Sequence, residues 1–548
     1  MSPYLFLLVA DVLQTLIRKS NTVHNPLDHS SPCPVLQYAD DTLILLRGDL
    51  DEVKQLKHLL DQFSKATGLR INYHKSTAVP MHLTDELIPD CVAALGCRRE
   101  GFPQTYLGLP LSCEKLRLQA FDPYIAKADR YLAGWQATLL NPMGRSVLIN
   151  AVLDAQLSYD MSALPLPPGV VKQVDKRRRG FLWTGEGDAN GSSCLVVWDK
   201  VRCSKDQGGL GIKDLEVQNI CLLLKLLHKL YTATQSSWAI WVRQRICLAS
   251  LEGDLDGNHW NILRELLPLY QAITSVSLGN GRSTAFWQDV WHGEESMAER
   301  YPALYSHCRT PTQSVYAVIT CGLRGHLVTR LSAIAAKELQ DVQALLSHIR
   351  LTDAADERSS PFAAEDGALI TSGLYSMIKS SREPALSAQA GFWSSRAPPR
   401  VQFFAWLLMH GRLQCRANLL RKKIVDDATC ELCAEAAETV DHLLLHCPFA
   451  ASFWQRLGIQ MEPDAAACNL LHLPKPENLP AAHFDTFVLL CCWHLWKRRN
   501  GIVFRQESLN LPQFLQNCKL DARAWSCRLP RQDMRVSDHW CNALSLAM

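Results

Sequence analysis

The chain has 548 residues, of which 47% are hydrophobic and 20% charged, with a formal net charge of +3. That profile excludes a disordered chain and indicates several globular domains; near-neutrality means that any basic footprint for nucleic acid must be local. The 20 cysteines are spread irregularly over a long sequence, the usage of a reducing compartment with mostly free thiols rather than of a small secreted disulfide framework.

In chain order, Tyr4 to Ile17 reads as a mostly apolar helix. It lacks a basic leader, is interrupted by Asp11 and is too short for a membrane span, as is Phe487 to Trp496, so an intracellular chain in nucleus or cytoplasm, without membrane association, is expected. Asn21 to Pro34 is polar and proline-bearing, a connecting loop. Val35 to Leu46, "VLQYADDTLILL", predicts two short strands meeting at a tight turn, with Asp40 and Asp41 at or beside it. Asp51 to Thr67 carries Val53, Leu56, Leu59, Leu60 and Phe63 at helical spacing and stops at Gly68. Arg70 to Val79 reads as extended, with Lys75 inside it, and Tyr106 to Ser112 as a short apolar strand or turn.

Glu114 to about Leu230 has a helical pattern. Within it Lys172, Lys176, Arg177, Arg178 and Arg179 precede Phe181 and Trp183, a combination suited either to a phosphate backbone and stacked bases or to an ordinary solvated helix face. "QGGLGIKDL" (Gln207 to Leu215) matches no phosphate-loop pattern and reads as a turn before a helix. Residues 231–390 show weak periodicity and read as a linker region of unknown role. A zinc-binding domain is expected over 391–480 and a helical tail over 481–548. In the former, Arg412, Arg421, Lys422 and Lys423 are candidate phosphate contacts, while Phe403, Phe404 and Trp406 fit the apolar face of a helix better than a stacking platform.

"CELCAEAAETVDHLLLHC" has the spacing of a closed tetrahedral zinc site: Cys430, Cys433, His442 and Cys447 are the expected ligands, leaving no open position for catalysis. His446 competes for one place, but adjacent residues seldom ligate one small ion together, and a helical turn separates His442 from Cys447. Asp40 and Asp41 have two readings: turn residues that tolerate unusual backbone angles, or holders of two Mg²⁺ ions about 4 Å apart.

"YADD" (Tyr38 to Asp41) between apolar strands resembles motif C of reverse transcriptases. "GLRINYHKS" (Gly68 to Ser76) is similar to the segment after the palm helix of non-LTR retrotransposon enzymes, "YLGLPLS" (Tyr106 to Ser112) to their primer-grip region, and "SPYLFLLVADVL" (Ser2 to Leu13) to the stretch following motif B. "FWSSRAPPRVQFFAWLLMHGRL" with the Cys/His cluster, and "WHLWKRRNGIVF" (Trp493 to Phe504) after it, resemble the zinc-binding end of plant LINE-type polyproteins. The resemblance implies an α+β fold: part of a palm over 1–113 (motifs C to E), a helical thumb-like region over 114–230, then the zinc module. It implies RNA-directed DNA synthesis with RNA and DNA as partners, Asp40 and Asp41 at an Mg²⁺ site, Lys75 near the leaving phosphates and Tyr106, Leu107 and Gly108 gripping the primer. The motif A aspartate lies outside these residues, so a truncated enzyme inactive by itself is expected, with a non-enzymatic zinc-containing nucleic-acid-binding protein as the alternative.

Overall fold

The computed structural model describes residues 2–26, 32–134, 139–191, 193–233, 235–382, 389–508 and 510–548. Helix makes up 55% of it, beside a few small two-stranded ribbons, so the class is α+β as expected. The chain divides into two compact units, 1–122 and 123–548.

In the first unit, helix α1 (Ser2–Arg18) buries Leu13 and Ile17 against Val35 and against Leu56, Leu60 and Phe63 of helix α2 (Leu50–Thr67). The ends of α2 follow from two residues: the Asp49 carboxylate accepts the N–H groups of Asp51 and Glu52, and Gly68 closes the helix at φ +75°. Strands β1 (Val35–Tyr38) and β2 (Asp41–Ile44) form an antiparallel hairpin in which Tyr38 faces Asp41, anchored to α1 where Gln14 donates to the Val35 carbonyl at 3.1 Å. Leu36 and Tyr38 are exposed, so the hairpin leaves apolar surface and strand edges open among the described residues.

The stretch 70–79 is not a strand. Tyr73, His74 and Lys75 make a turn, because Asn72 accepts the Lys75 N–H through both its carbonyl and its side chain. Only β3 (Thr77–Ala78) is extended, and it pairs in parallel with β4 (Arg98–Arg99), which follows helix α3 (Ile88–Leu95). "YLGLPLS" folds as a second hairpin, β5 (Gln104–Tyr106) and β6 (Leu109–Leu111), with Leu107 at φ +51° and Gly108 at +81°, the two left-handed residues that suit the twist of a two-residue loop.

Among the described residues, the second unit is built on three cores. The largest gathers residues from the helices Pro142–Leu148 and Pro168–Trp183, from Pro399–Met409, from the metal-binding segment and from the three terminal helices Phe484–Arg505, Leu511–Trp525 and Val536–Leu546. The expected tail is therefore helical but internal: Phe487, Phe514 and Trp540 are fully or almost fully buried. Phe403, Phe404 and Trp406 lie in the same core. The indole of Trp406 donates to the Gly208 carbonyl at 2.9 Å, and a Cβ at neighbouring Gly209 would come within 2.0 Å of the Cys203 carbonyl oxygen. The "GGLG" run is thus a site of close packing, not of phosphate binding.

The described residues of 231–390 form cores where the sequence reads as a linker. One core joins the helices Leu215–Thr232, Asn258–Ala272 and Thr371–Arg382; another surrounds Phe286, Trp287 and Trp291. The Asp356 carboxylate gathers the N–H groups of Gly279, Gly281 and Ser283, and Arg358 forms a buried fork to Asp289 at 2.7 and 2.8 Å. Helices of 12 to 16 residues carry this region, and the loops between them are pinned by long-range polar bonds that leave no period in the sequence.

Candidate functional site

The metal-ligand cluster is assembled by two local devices. The first is a knuckle: Thr429 bridges to Ala437, the Cys430 N–H donates to the Ala436 carbonyl at 2.8 Å, and Ala434 turns the chain at φ +58°. It points Cys430 and Cys433 the same way. The second is a π turn over His442–His446, in which the Cys447 N–H reaches the His442 carbonyl at 2.6 Å. This i to i+5 bond draws His442 and Cys447 onto one side.

One ligand atom from each of Cys430, Cys433, His442 and Cys447 lies within 4.8 Å of all the others. A tetrahedral zinc ion with Zn–S bonds of ~2.3 Å needs ligand atoms about 3.8 Å apart, so this set fits zinc. Cys433 Sγ and His442 Nε2 are 3.4 Å apart. His446 is not a member: its Nε2 makes a 2.9 Å bond to the Ala465 carbonyl. Burial, then the nearby Cys430, pushes the Cys447 thiol up to about 12, and burial raises Cys430, whereas the amide of Glu435 holds Cys433 below the usual thiol range. Burial keeps His442 neutral, the form that ligates. Three thiols crowded this way lose their protons together only when a cation takes their place.

The cluster is fastened to the rest of the unit through Glu438. Its carboxylate is fully buried, receives the Arg499 guanidinium at 2.7 Å and accepts the Arg416 N–H at 2.9 Å. Arg499 belongs to "WHLWKRRNGIVF", so that motif is the helix against which the metal segment packs. The sequence carries no local sign of this pairing, which joins residues 61 positions apart.

Asp40 occupies the β1–β2 turn and Asp41 opens β2; both are exposed. Ala39 takes φ +51°, a left-handed conformation that a non-glycine residue adopts at a cost of order 1–3 kcal/mol. The second hairpin stands beside the first: the Tyr106 hydroxyl donates to the Leu36 carbonyl at 3.3 Å, and burial together with nearby Asp41 raises its pKa. Tyr106 is thus brought to the acidic hairpin, while Lys75 is exposed in its own turn. Two carboxylates suit a Mg²⁺ that takes its remaining ligands from water and phosphate. Among the described residues, no third acidic or imidazole group joins them.

The basic helix Pro168–Trp183 is largely neutralised. Arg178 is fully buried, bonded to Asp175 at 2.6 Å and Asp154 at 3.0 Å, so its place among the candidate nucleic-acid contacts is withdrawn: water and phosphate have no access to it. Arg177 forks onto Asp129 at 2.5 and 2.9 Å, Lys176 meets Asp188 at 3.1 Å, and Arg179 is half-buried near Trp198. Phe181 is core. Lys172 is exposed, as are Arg412, Arg421, Lys422 and Lys423 next to the metal segment.

The acidic hairpin with a tyrosine-bearing hairpin leaning on it, and the Cys3His cluster, fall within the two segments that match known families. Residues 1–110 match the reverse transcriptase (RNA-dependent DNA polymerase) family model, and residues 370–454 match the model for zinc-binding in reverse transcriptase. The chain thus resembles the C-terminal part of a retrotransposon reverse transcriptase, zinc-binding domain included. Among curated relatives, it is 22% identical over 428 residues to a protein of Arabidopsis thaliana named as a candidate ribonuclease H protein, covering 73% of this chain and 67% of that one. It is also 26% identical over 153 residues to an uncharacterized 149 kDa protein of transposon TX1 from Xenopus laevis, covering 27% of this chain and 12% of that one.

Proposed function

We propose that this chain is a portion of a LINE-type reverse transcriptase, with Asp40 and Asp41 as its motif C carboxylates, Tyr106 to Gly108 as its primer grip and Lys75 as the motif D lysine. The observation that carries this reading is the Tyr106–Leu36 bond, which sets the candidate primer grip against the acidic hairpin although the two are far apart in sequence. A divalent ion held there supplies charge neutralisation of phosphate oxygens. The chain's own part is to fix two carboxylates on a stiff turn and to position a strand end beside them. Among the described residues Asp40 and Asp41 stand at this turn without a third acidic ligand, fewer than a two-ion site uses. Primer extension on an RNA template with Mg²⁺ tests this: no synthesis is expected, and robust synthesis abolished by Asp40→Ala overturns the inactivity while supporting the family role of the carboxylate.

A nucleic-acid-binding role for the second unit rests on a separate observation, the exposed cations Arg412, Arg421, Lys422 and Lys423 flanking a closed structural zinc site of Cys430, Cys433, His442 and Cys447. RNA or DNA binding by the intact chain should weaken as salt rises. Binding indifferent to salt between 50 and ~200 mM would count against it.

A further inference from the structure

The helix Phe484–Arg505 carries three consecutive cations, Lys497, Arg498 and Arg499. Two have carboxylate partners: Lys497 meets Asp521 at 2.8 Å and Arg499 grips Glu438. Arg498 has no ion pair with a carboxylate among the described residues. Its guanidinium lies 3.6 Å over the ring of Phe449, two residues beyond Cys447, and its Nε is buried without a hydrogen-bond partner among the described residues. Arg498 as a whole is half-buried, and a buried guanidinium nitrogen without a partner is unfavourable unless negative charge stands near it. Phe449 lies in the first turn of the helix that Cys447 caps, and the neighbouring Arg499 bonds Glu438 between the ligands, so Arg498 stands against the metal segment; negative charge on Cys447 and Cys430 would oppose the effect of its burial.

Three thiolates and a neutral imidazole around Zn²⁺ would leave one net negative charge in a half-buried site. We infer that Arg498 is a positioning residue for the metal: stacked on Phe449, its guanidinium is the counter-charge of the Cys3His site and strengthens the site's hold on zinc. The inference rests on the zinc reading of Cys430, Cys433, His442 and Cys447. It gives adjacent arginines distinct tasks, Arg499 fastening the polypeptide through Glu438 and Arg498 balancing the metal centre. The ring of Phe449 contributes by keeping the cation dehydrated and aimed, the arrangement in which a guanidinium over an aromatic face gains most.

The test uses the full chain loaded with zinc and titrated with a metallochromic chelator. Arg498→Met keeps the apolar stem and removes the charge; Arg498→Lys keeps the charge. Zinc affinity is expected to fall about ten-fold or more in R498M, the usual loss when an outer partner of a metal ligand is removed, and to stay within about three-fold in R498K. With Co²⁺ in place of zinc, the thiolate-to-cobalt charge-transfer band should move to lower energy in R498M, since the sulfurs lose a neighbouring cation; loss of packing alone does not produce that shift in a folded chain. R498M that folds by far-UV circular dichroism and binds zinc within about two-fold of the wild type overturns the inference. If R498M does not fold, R498K decides: zinc retention supports the counter-charge, and a loss of ten-fold or so overturns it. A wild-type chain that takes up neither zinc nor Co²⁺ with a thiolate band rejects the zinc reading itself, a distinguishable result.

Discussion

Replacing Arg499 by Met is expected to unlatch the metal segment from the Phe484–Arg505 helix. The magnitude follows from burial. Glu438 is 0% and Arg499 2% exposed, and the guanidinium donates to the carboxylate at 2.7, 3.2 and 3.2 Å. Removing one partner of such a pair strands the other charge at a cost of about 3–5 kcal/mol. The Arg416 N–H still serves Glu438 at 2.9 Å, which places the cost near the lower end, about 3 kcal/mol. That corresponds to a roughly hundred-fold rise in the open fraction. Hydrogen–deuterium exchange along the Phe484–Arg505 helix reads this locally, without requiring the whole chain to unfold in one step. The double variant Glu438→Leu with Arg499→Met, which buries no charge, should recover most of the protection. A loss below about 1 kcal/mol in R499M, or a double variant as open as the single one, would refute the reasoning.

Three further outcomes are expected. His442→Ala should abolish zinc retention while His446→Ala leaves it intact, measured as metal content after gel filtration; the reverse pattern would reassign the fourth ligand. Arg178→Met should destabilise the helix Pro168–Trp183 by about 3 kcal/mol, whereas Lys422→Ala with Lys423→Ala should leave stability unchanged and lower the salt slope of RNA binding by about one for each phosphate no longer neutralised. Asp521 accepts hydrogen bonds from His494 at 2.9 Å and Lys497 at 2.8 Å, and these hold its carboxyl well below the usual range. A depressed folded-state pKa contributes stability in full above the unfolded value of about 4, and that stability is lost as pH falls from there toward the folded value. Asp521→Asn should therefore flatten the acid limb of a stability–pH profile below about pH 4 and lower the plateau above it; an unchanged acid limb would show that the carboxylate is not held by these bonds.

Features that depend on neighbouring residues were legible in the sequence. The Gly68 stop and the turn at Asp40 are each specified within a few positions, and so is the Cys430–Cys447 cluster, where spacing alone limits the choice of ligands. Spacing favours His442 over His446, and the structure adds the Ala465 carbonyl that occupies His446. The run Lys176 to Arg179 misled because a helix turns 100° per residue, so consecutive cations cannot share a face. One of them had to look inward, and Arg178 does, toward Asp154 and Asp175. The region 231–390 was opaque for a different reason: its determinants, such as Arg358 on Asp289, join residues far apart in sequence through polar bonds that no hydropathy period records.

The largest core has a consequence for biosynthesis. Trp406 bonds to Gly208, and Arg456 reaches the carbonyl of Ala547, almost the final residue. A ribosome therefore delivers the early helices of the second unit long before the last strips of apolar surface that cover them. Those helices must wait, with aromatic side chains uncovered, through the emergence of an inserted region with cores of its own. The segment 370–454 marks an inherited unit of sequence, not one of folding: cut out alone, it would turn Phe453 and Trp454 toward water, and should be recovered from cells mainly as aggregate.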